Sequence, residues 1–212
     1  MKKPFTVLFA AMSTAFGLSA SDAPAADAPA AKLESAIIGG GCFWCVEAQY
    51  KMLKGVKKVV SGYAGGHVNN PTYKQICQGD TGHAEVIRVD YDPAEITFRD
   101  VIDLFWDAHD PTTLNRQGND VGPQYRSIIL VTSDEQKKIS EESKVNAEKI
   151  IGKPIVTEIV PLEIFYPAED YHQDYFTNNP YQGYCQAVVR PKVSKFKEKL
   201  KEKGKLDETK LP

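Results

Sequence analysis

The chain has 212 residues, 42% of them hydrophobic and 25% charged, with 26 basic and 28 acidic side chains for a net charge of −2. That length and balance suit one ordinary domain with a real hydrophobic core and exclude a disordered chain. With no basic block, nucleic acid is not an expected partner.

The N-terminus stands apart from that domain. "MKKPFTVLFAAMSTAFGLSA" places Lys2 and Lys3 before an apolar run that ends in small residues near Ala20, the layout of a cleaved secretory signal over residues 1–20. The run is too short and too rich in small residues to favour the competing reading, a retained membrane anchor. Residues 21–33 read as a flexible leader, "SDAPAADAPAA" being Ala/Pro/Asp low complexity. The domain itself is expected over 34–200, with a polar tail over 201–212. Export to the periplasm or the medium is the expected destination, with a monomer free of the membrane after signal cleavage.

Along the chain, "SAIIGGG" reads as a short buried strand and "CVEAQYKMLKG" as a helix closed by Gly55. "VKKVVSGYAGG" is a strand entering a glycine-rich loop, after which Pro71 and Gly79 bracket a short helix. "HAEVIRVDYD" alternates and stops at Pro93, as a half-buried strand does. In "TFRDVIDLFWDAHD", Thr97 and Asp100 form a capping box, and Phe98, Val101, Ile102, Phe105 and Ala108 line one helix face. The long polar loop "DPTTLNRQGNDVGPQ" precedes the strand "YRSIILVT". Ser133 and Gln136 then cap a charged helix through Ile151. "IVTEIVPLEIF" predicts one more strand, and "AEDYHQDYFTNNP" a short helix ended by Pro180. From Cys185 onward the chain is basic and mostly polar. Helices alternate irregularly with strands of alternating polarity, which predicts an α+β two-layer sandwich rather than a doubly wound parallel sheet.

The chemistry concentrates in "GGGCFWCVEA". Cys42 falls where a strand hands over to a helix, and free N–H groups with the helix dipole favour a thiolate there. A modest depression from about 8.5 would make it a nucleophile at neutral pH. Phe43 and Trp44 sit at a glycine-flanked turn where both cannot be buried. Glu85 shares the strand face of Ile87 and Val89, so it starts the buried face; a carboxyl so desolvated holds its proton and can donate it. An exposed strand end is the alternative.

Asp120 and Tyr125 flank the long loop and Tyr73 lies in the "NPTY" turn, positions open to functional or plain rim roles. His67, His83, His109 and His172 are scattered without ligand spacing, so no metal site is expected. Cys42, Cys45, Cys77 and Cys185 could form two structural disulfides in an exported protein, although a core of this size needs no staples.

"GGCFW", "SGYAGG", "NPTY", "GDTGHAEVIRVDYDP", "DPTTLNRQGNDVGPQYRS" and "YHQDY", in that order from about residue 36 to about residue 196, resemble the A-type peptide methionine sulfoxide reductases. The resemblance implies reduction of the S-epimer of methionine sulfoxide, free or in proteins, in the repair of oxidised proteins. It also implies a two-layer α+β sandwich with a ferredoxin-like core and a long coiled C-terminal segment. Position by position, Cys42 matches the nucleophile, Phe43 and Trp44 the pocket for the S-methyl group, and Glu85 the proton donor. Tyr73, Tyr125 and Asp120 match residues that bind or polarise the sulfoxide oxygen. Cys185 matches the resolving cysteine, with Cys45 as an alternative resolver where glycine is the commoner family residue. Cys77 is expected to pack as an inert thiol.

No bound cofactor is implied. The implied reductant is an external thioredoxin-like dithiol. Two other classes compete: a general thiol–disulfide oxidoreductase using Cys42 and Cys45, and a non-catalytic secreted domain with two structural bridges.

Overall fold

A computed structural model describes Met1, Pro4 and residues 32–211; the expected signal cleavage site and most of the leader lie outside the described residues. Alternation of polarity builds the centre of the fold. β1 (Glu34–Gly40) pairs antiparallel with β3 (Ala84–Tyr91), which pairs antiparallel with β2 (Val56–Ala64). On its other side β1 pairs antiparallel with β6 (Ser127–Val131). β7 (Glu158–Pro161) then adds in parallel to β6, and β8 (Phe165–Pro167) antiparallel to β2, giving the order β7-β6-β1-β3-β2-β8.

The single strand expected over "IVTEIVPLEIF" is therefore two, split after Pro161 and placed on opposite edges of the sheet. Pro161 cannot donate to a ladder, so the chain leaves the sheet there. From Pro161 to Phe165 an extended chain spans at most about 14 Å. Six flat strands would set the edges about 24 Å apart. The sheet must curl, and it closes on Ile37, Ala64, Ala84, Val86, Ile128 and Leu130, a small core walled by Val160, Leu162 and Phe165.

The opposite sheet face carries the main core. α1 (Phe43–Tyr50) and α3 (Phe98–Ala108) pack there, with Ile38, Ile87, Val89 and Ile129 beneath them. α3 begins at the expected capping box, with Thr97 Oγ1 accepting the Asp100 N–H at 3.1 Å and Asp100 Oδ2 accepting the Thr97 N–H at 3.1 Å. α4 (Asp134–Ile151) starts on Ser133, whose hydroxyl accepts the Gln136 N–H, and ends at Gly152 in the left-handed region. α1 stops at Tyr50, earlier than the sequence pattern predicts, and turns carry the chain to Gly55. α2 (Tyr73–Gln78) fills the Pro71–Gly79 interval, and β4 (Arg116–Gln117) with β5 (Asp120–Val121) forms a small ladder in the long loop. The short helix expected over 168–180 is a 3₁₀ turn at Asp170–His172 followed by α5 (Tyr175–Asn178).

The C-terminal segment corrects the expectation of a long coil. Cys185–Val189 form a π-helical turn that runs into α6 (Arg190–Glu202), whose Val193, Phe196 and Leu200 are buried. That stripe has helical spacing but is interrupted by lysines, whose stems and charges keep to the outer face. Beyond α6 the chain returns along 52–56, with Leu53 bridged to Leu206 and the Asp207 N–H donating to Met52 O at 2.8 Å.

Gly39 brings the two central strands unusually close. A Cβ there would stand 2.6 Å from the carbonyl oxygen of Glu85, so only glycine lets β1 lie this near to β3.

Candidate active site

Gly41, at φ +94°, turns β1 into α1 and leaves Cys42 as the residue just ahead of the first helical turn. The Cys45 N–H donates to the Cys42 carbonyl at 3.0 Å, which closes that turn. The strand-to-helix placement expected for Cys42 is the one observed.

Glu85 comes up beneath it from β3. It shares its face with Ile87 and Val89 of the main core, is 1% exposed, and its Oε2 accepts the Phe43 N–H at 3.0 Å. An exposed strand end is thereby excluded. Burial pushes the Glu85 carboxyl well above the usual range; Cys42 and, more weakly, Asp120 push the same way, while the Phe43 N–H opposes them. Every one of these influences but the Phe43 N–H favours the protonated carboxyl.

The thiols depart from expectation. Cys42 is held well above an ordinary thiol, first by burial and then by Cys45; the Tyr184 hydroxyl and the Trp44 N–H oppose this only in part. Desolvation thus outweighs the helix N-terminus, and the depression expected for Cys42 is not found in the resting site. Cys45 moves the other way, lowered by the hydrogen bond from Cys42 and helped by Lys192. All four cysteines are free, with Cys42, Cys45 and Cys185 buried. Cys185 lies close enough for a charge on Cys42 to raise its pKa, after burial as the first cause. Cys77 does not pack away as expected: it is exposed at the end of α2, one turn beyond Tyr73.

Aromatic rings wall the space above Cys42. Phe43 is buried against His172, Tyr63 and Tyr73, with centroids 5.0, 5.8 and 6.5 Å away. Trp44 is half-buried and stacks on Tyr175 at 3.7 Å with 7° between planes. Its indole N–H donates to His172 Nδ1 at 3.1 Å. Tyr73 and Tyr125 are raised by burial and then by Glu85, which places both hydroxyls near the acid and keeps them protonated donors. Asp120 accepts the Tyr184 hydroxyl at 2.8 Å, and that hydroxyl also reaches Cys42. The structure therefore brings Cys42, Phe43, Trp44, Cys45, Tyr73, Glu85, Asp120, Tyr125 and Cys185 to one place.

Three further groups escape the sequence reading. Tyr184 sits beside Cys185 but carries no periodic signal. Glu169 receives the Tyr73 N–H at 2.9 Å on one oxygen and the Tyr63 hydroxyl at 2.8 Å on the other. His172 draws attention in the sequence only as a possible metal ligand, whereas its ring supports Trp44; the "YHQDY" motif is the available signal for it. Among the described residues, no group of three or more His, Cys, Asp or Glu is arranged to hold a metal ion.

Residues 34–205 match the family model for peptide methionine sulfoxide reductase. The chain belongs to the peptide methionine sulfoxide reductase family. This reductase is 54% identical over 176 residues to peptide methionine sulfoxide reductase MsrA of Saccharolobus solfataricus, covering 83% of this chain and 99% of that one. It is 54% identical to the MsrA of Polynucleobacter asymbioticus, over 80% of this chain and 90% of the relative. Among solved structures, the reductase resembles Mxr1 from Saccharomyces cerevisiae in reduced form, with TM-score 0.68 and 37% identity over 74% of this chain and 91% of Mxr1. It also resembles methionine sulfoxide reductase A of Corynebacterium diphtheriae, with TM-score 0.66 and 38% identity over 76% and 80%.

Proposed function

We propose a division of labour for these residues in the enzyme's reaction, the thiol-dependent reduction of the S-epimer of methionine sulfoxide to methionine in protein repair. Cys42 sulfur attacks the sulfoxide sulfur. Phe43 and Trp44 receive the S-methyl group, and Tyr73, Tyr125 and Asp120 orient and polarise the sulfoxide oxygen. Glu85 gives its proton to that oxygen, without which oxygen is a poor leaving group. The S–O bond breaks as oxygen passes to Cys42; methionine leaves, reduced by two electrons, Cys42 remains as a sulfenic acid, and the proton given up by the Cys42 thiol replaces the one that Glu85 donated. The observation that carries this reading is Glu85: a carboxyl fixed by the Phe43 N–H beside Cys42, and buried so that the protonated form is favoured.

A second thiol then attacks the sulfenic acid, forming a disulfide and releasing water. We assign this step to Cys185, near Cys42 at the head of the π-helical turn. A second reading gives it to Cys45, whose N–H closes the first turn on the Cys42 carbonyl at 3.0 Å and keeps the two residues together. A thioredoxin-like dithiol would reduce the disulfide by exchange and itself become oxidised. Peptide mapping after one oxidation by substrate, without reductant, distinguishes the two: a Cys42–Cys185 bridge supports the first reading and a Cys42–Cys45 bridge the second. Turnover assays with each methionine sulfoxide epimer and dithiothreitol test the whole assignment, and equal rates on both epimers would overturn it.

The order β6-β1-β3-β2, joined by α1 and α3 and antiparallel throughout, supports a ferredoxin-like core for the expected two-layer sandwich. The enzyme is proposed to be an exported monomer with its domain over 34–200, supported by the charged-then-apolar pattern of residues 1–20. Among the described residues no helix is long and apolar enough to cross a membrane. Intact mass of protein from the export fraction tests the removal of the signal, and a full-length chain there would refute it.

A further inference from the structure

Glu47 has no part in the chemistry above, yet it is a carboxyl only 2% exposed on α1, one turn beyond Trp44. Burial pushes it up to about 7, against the opposing pull of Lys51, the Tyr175 N–H and the Ser61 hydroxyl. A charge-bearing group is rarely buried without partners, and its partners are specific. Glu47 Oε1 accepts the Asp174 N–H at 3.0 Å. The Ser61 hydroxyl, fully buried and with no hydrogen-bond partner, faces the same carboxyl.

The corner it holds is unusual. Asp174 is a non-glycine residue at φ +55° and precedes α5 without offering its own side chain as a cap. The leading N–H groups of α5 would be unsatisfied without an acceptor from elsewhere. Glu47 is that acceptor for the first of them, the Asp174 N–H. Next to it, the Gln173 side chain fastens the same corner to β2, receiving the Ser61 N–H at 3.0 Å and donating to the Ser61 carbonyl at 3.0 Å. Lys51 pairs with Asp174 on the outer side. This corner carries both supports of Trp44: His172, bonded to the indole N–H, and Tyr175, stacked on the ring.

We propose that Glu47 is a positioning residue for the substrate pocket, tying the 172–175 corner to α1 so that Trp44 is held where the substrate's methyl group must lie. This rests on the assignment of Phe43 and Trp44 as the methyl pocket. Because Glu47 touches neither Cys42 chemistry nor Glu85, its loss should weaken binding more than it slows bond breaking.

The test uses the full chain with Glu47→Ala and Glu47→Gln. Losing a charge-assisted hydrogen bond predicts a KM for an S-sulfoxide peptide about tenfold higher in the alanine variant, with the saturating single-turnover rate within about twofold. Gln keeps an acceptor oxygen and should restore KM to within about threefold of the parent. In a Trp106→Phe background, emission from Trp44 should shift in the alanine variant and return with Gln. If alanine prevents folding, Glu47→Asp, which draws the oxygens back by one methylene, should raise KM by about threefold. A parental KM and emission in the alanine or aspartate variant, or an equal loss of stability and rate that Gln fails to rescue, would overturn the proposal. An active Cys42→Ser enzyme would instead remove the underlying assignment, whatever Glu47 does.

Discussion

The two sides of the Cys42–Phe43–Trp44 turn are built from different materials. On the sheet side, Glu85 comes from the middle of a six-stranded sheet, on a strand paired on both flanks. On the C-terminal side, the wall comes from short 3₁₀, α and π turns that carry His172, Tyr175, Tyr184 and Cys185. Those turns are fixed by side-chain bonds such as Trp44 to His172, Tyr184 to Asp120 and Glu47 to Asp174. A proton donor needs one fixed position, which a sheet supplies. A wall that admits a side chain and later yields a resolving thiol has to come apart locally, and isolated turns held by a few bonds can do so. The sheet side should therefore govern the rate of the chemical step, and the C-terminal side binding and recycling.

The largest effect is expected at the turn itself. Cys42→Ser should abolish turnover of the S-epimer, because a hydroxyl is not a competent nucleophile at neutral pH; steady-state assay with dithiothreitol measures it. On the sheet side, Glu85→Gln should fold normally and slow single-turnover methionine release by about a hundredfold or more, with a smaller change in KM. A KM effect alone would invert the comparison. On the C-terminal side, Cys185→Ser should release one methionine per enzyme and then fail to be recycled by a thioredoxin-like dithiol, while dithiothreitol still rescues it. Normal cycling by that variant would pass the step to Cys45. Tyr175→Leu should raise KM by about threefold through the lost stack on Trp44 and leave the single-turnover rate nearly unchanged.

The smallest effect concerns stability and pH. The Glu47 carboxyl, ordinarily at 4.5, is raised to about 7 in the folded chain. Between those values the folded state binds more protons than the unfolded one, so stability falls as pH rises. The contribution is fully present below about 4.5 and lost as pH passes about 7. Glu47→Gln should flatten this slope, seen as a smaller difference between urea midpoints at pH 5 and pH 8 than in the parent. An unchanged slope would assign the whole dependence to Glu85, which burial shifts in the same direction.

The same division explains what the sequence discloses. Two-residue alternation places Glu85 on the buried face with Ile87 and Val89, and capping residues locate α3 and α4, because both signals are local. The Cys42 turn is legible from its glycines. The split of β7 from β8 is not: Pro161 marks a break, but no local pattern says that the two halves belong on opposite edges. α6 is hidden because Val193, Phe196 and Leu200 are scattered among lysines. Glu47 in a helix looks like an ordinary solvated charge until the 172–175 corner covers it. The raised Cys42 thiol likewise comes from burial by segments distant in sequence, which a rule about helix termini cannot supply.

Gly39 gives the sheet side its sharpest edge. A methyl there would meet the Glu85 carbonyl at 2.6 Å and Val86 and Ile128 at 3.0 Å. The obstructing oxygen is backbone and cannot swing aside, so the strands would have to part. Glu85 is thus registered against a neighbour that has no side chain, much as a machined part rests against a stop. Gly39→Ala would act as a shim under the acid, displacing it from Cys42 without changing any group that touches substrate, and its rate would gauge how small an error in proton placement the reaction tolerates.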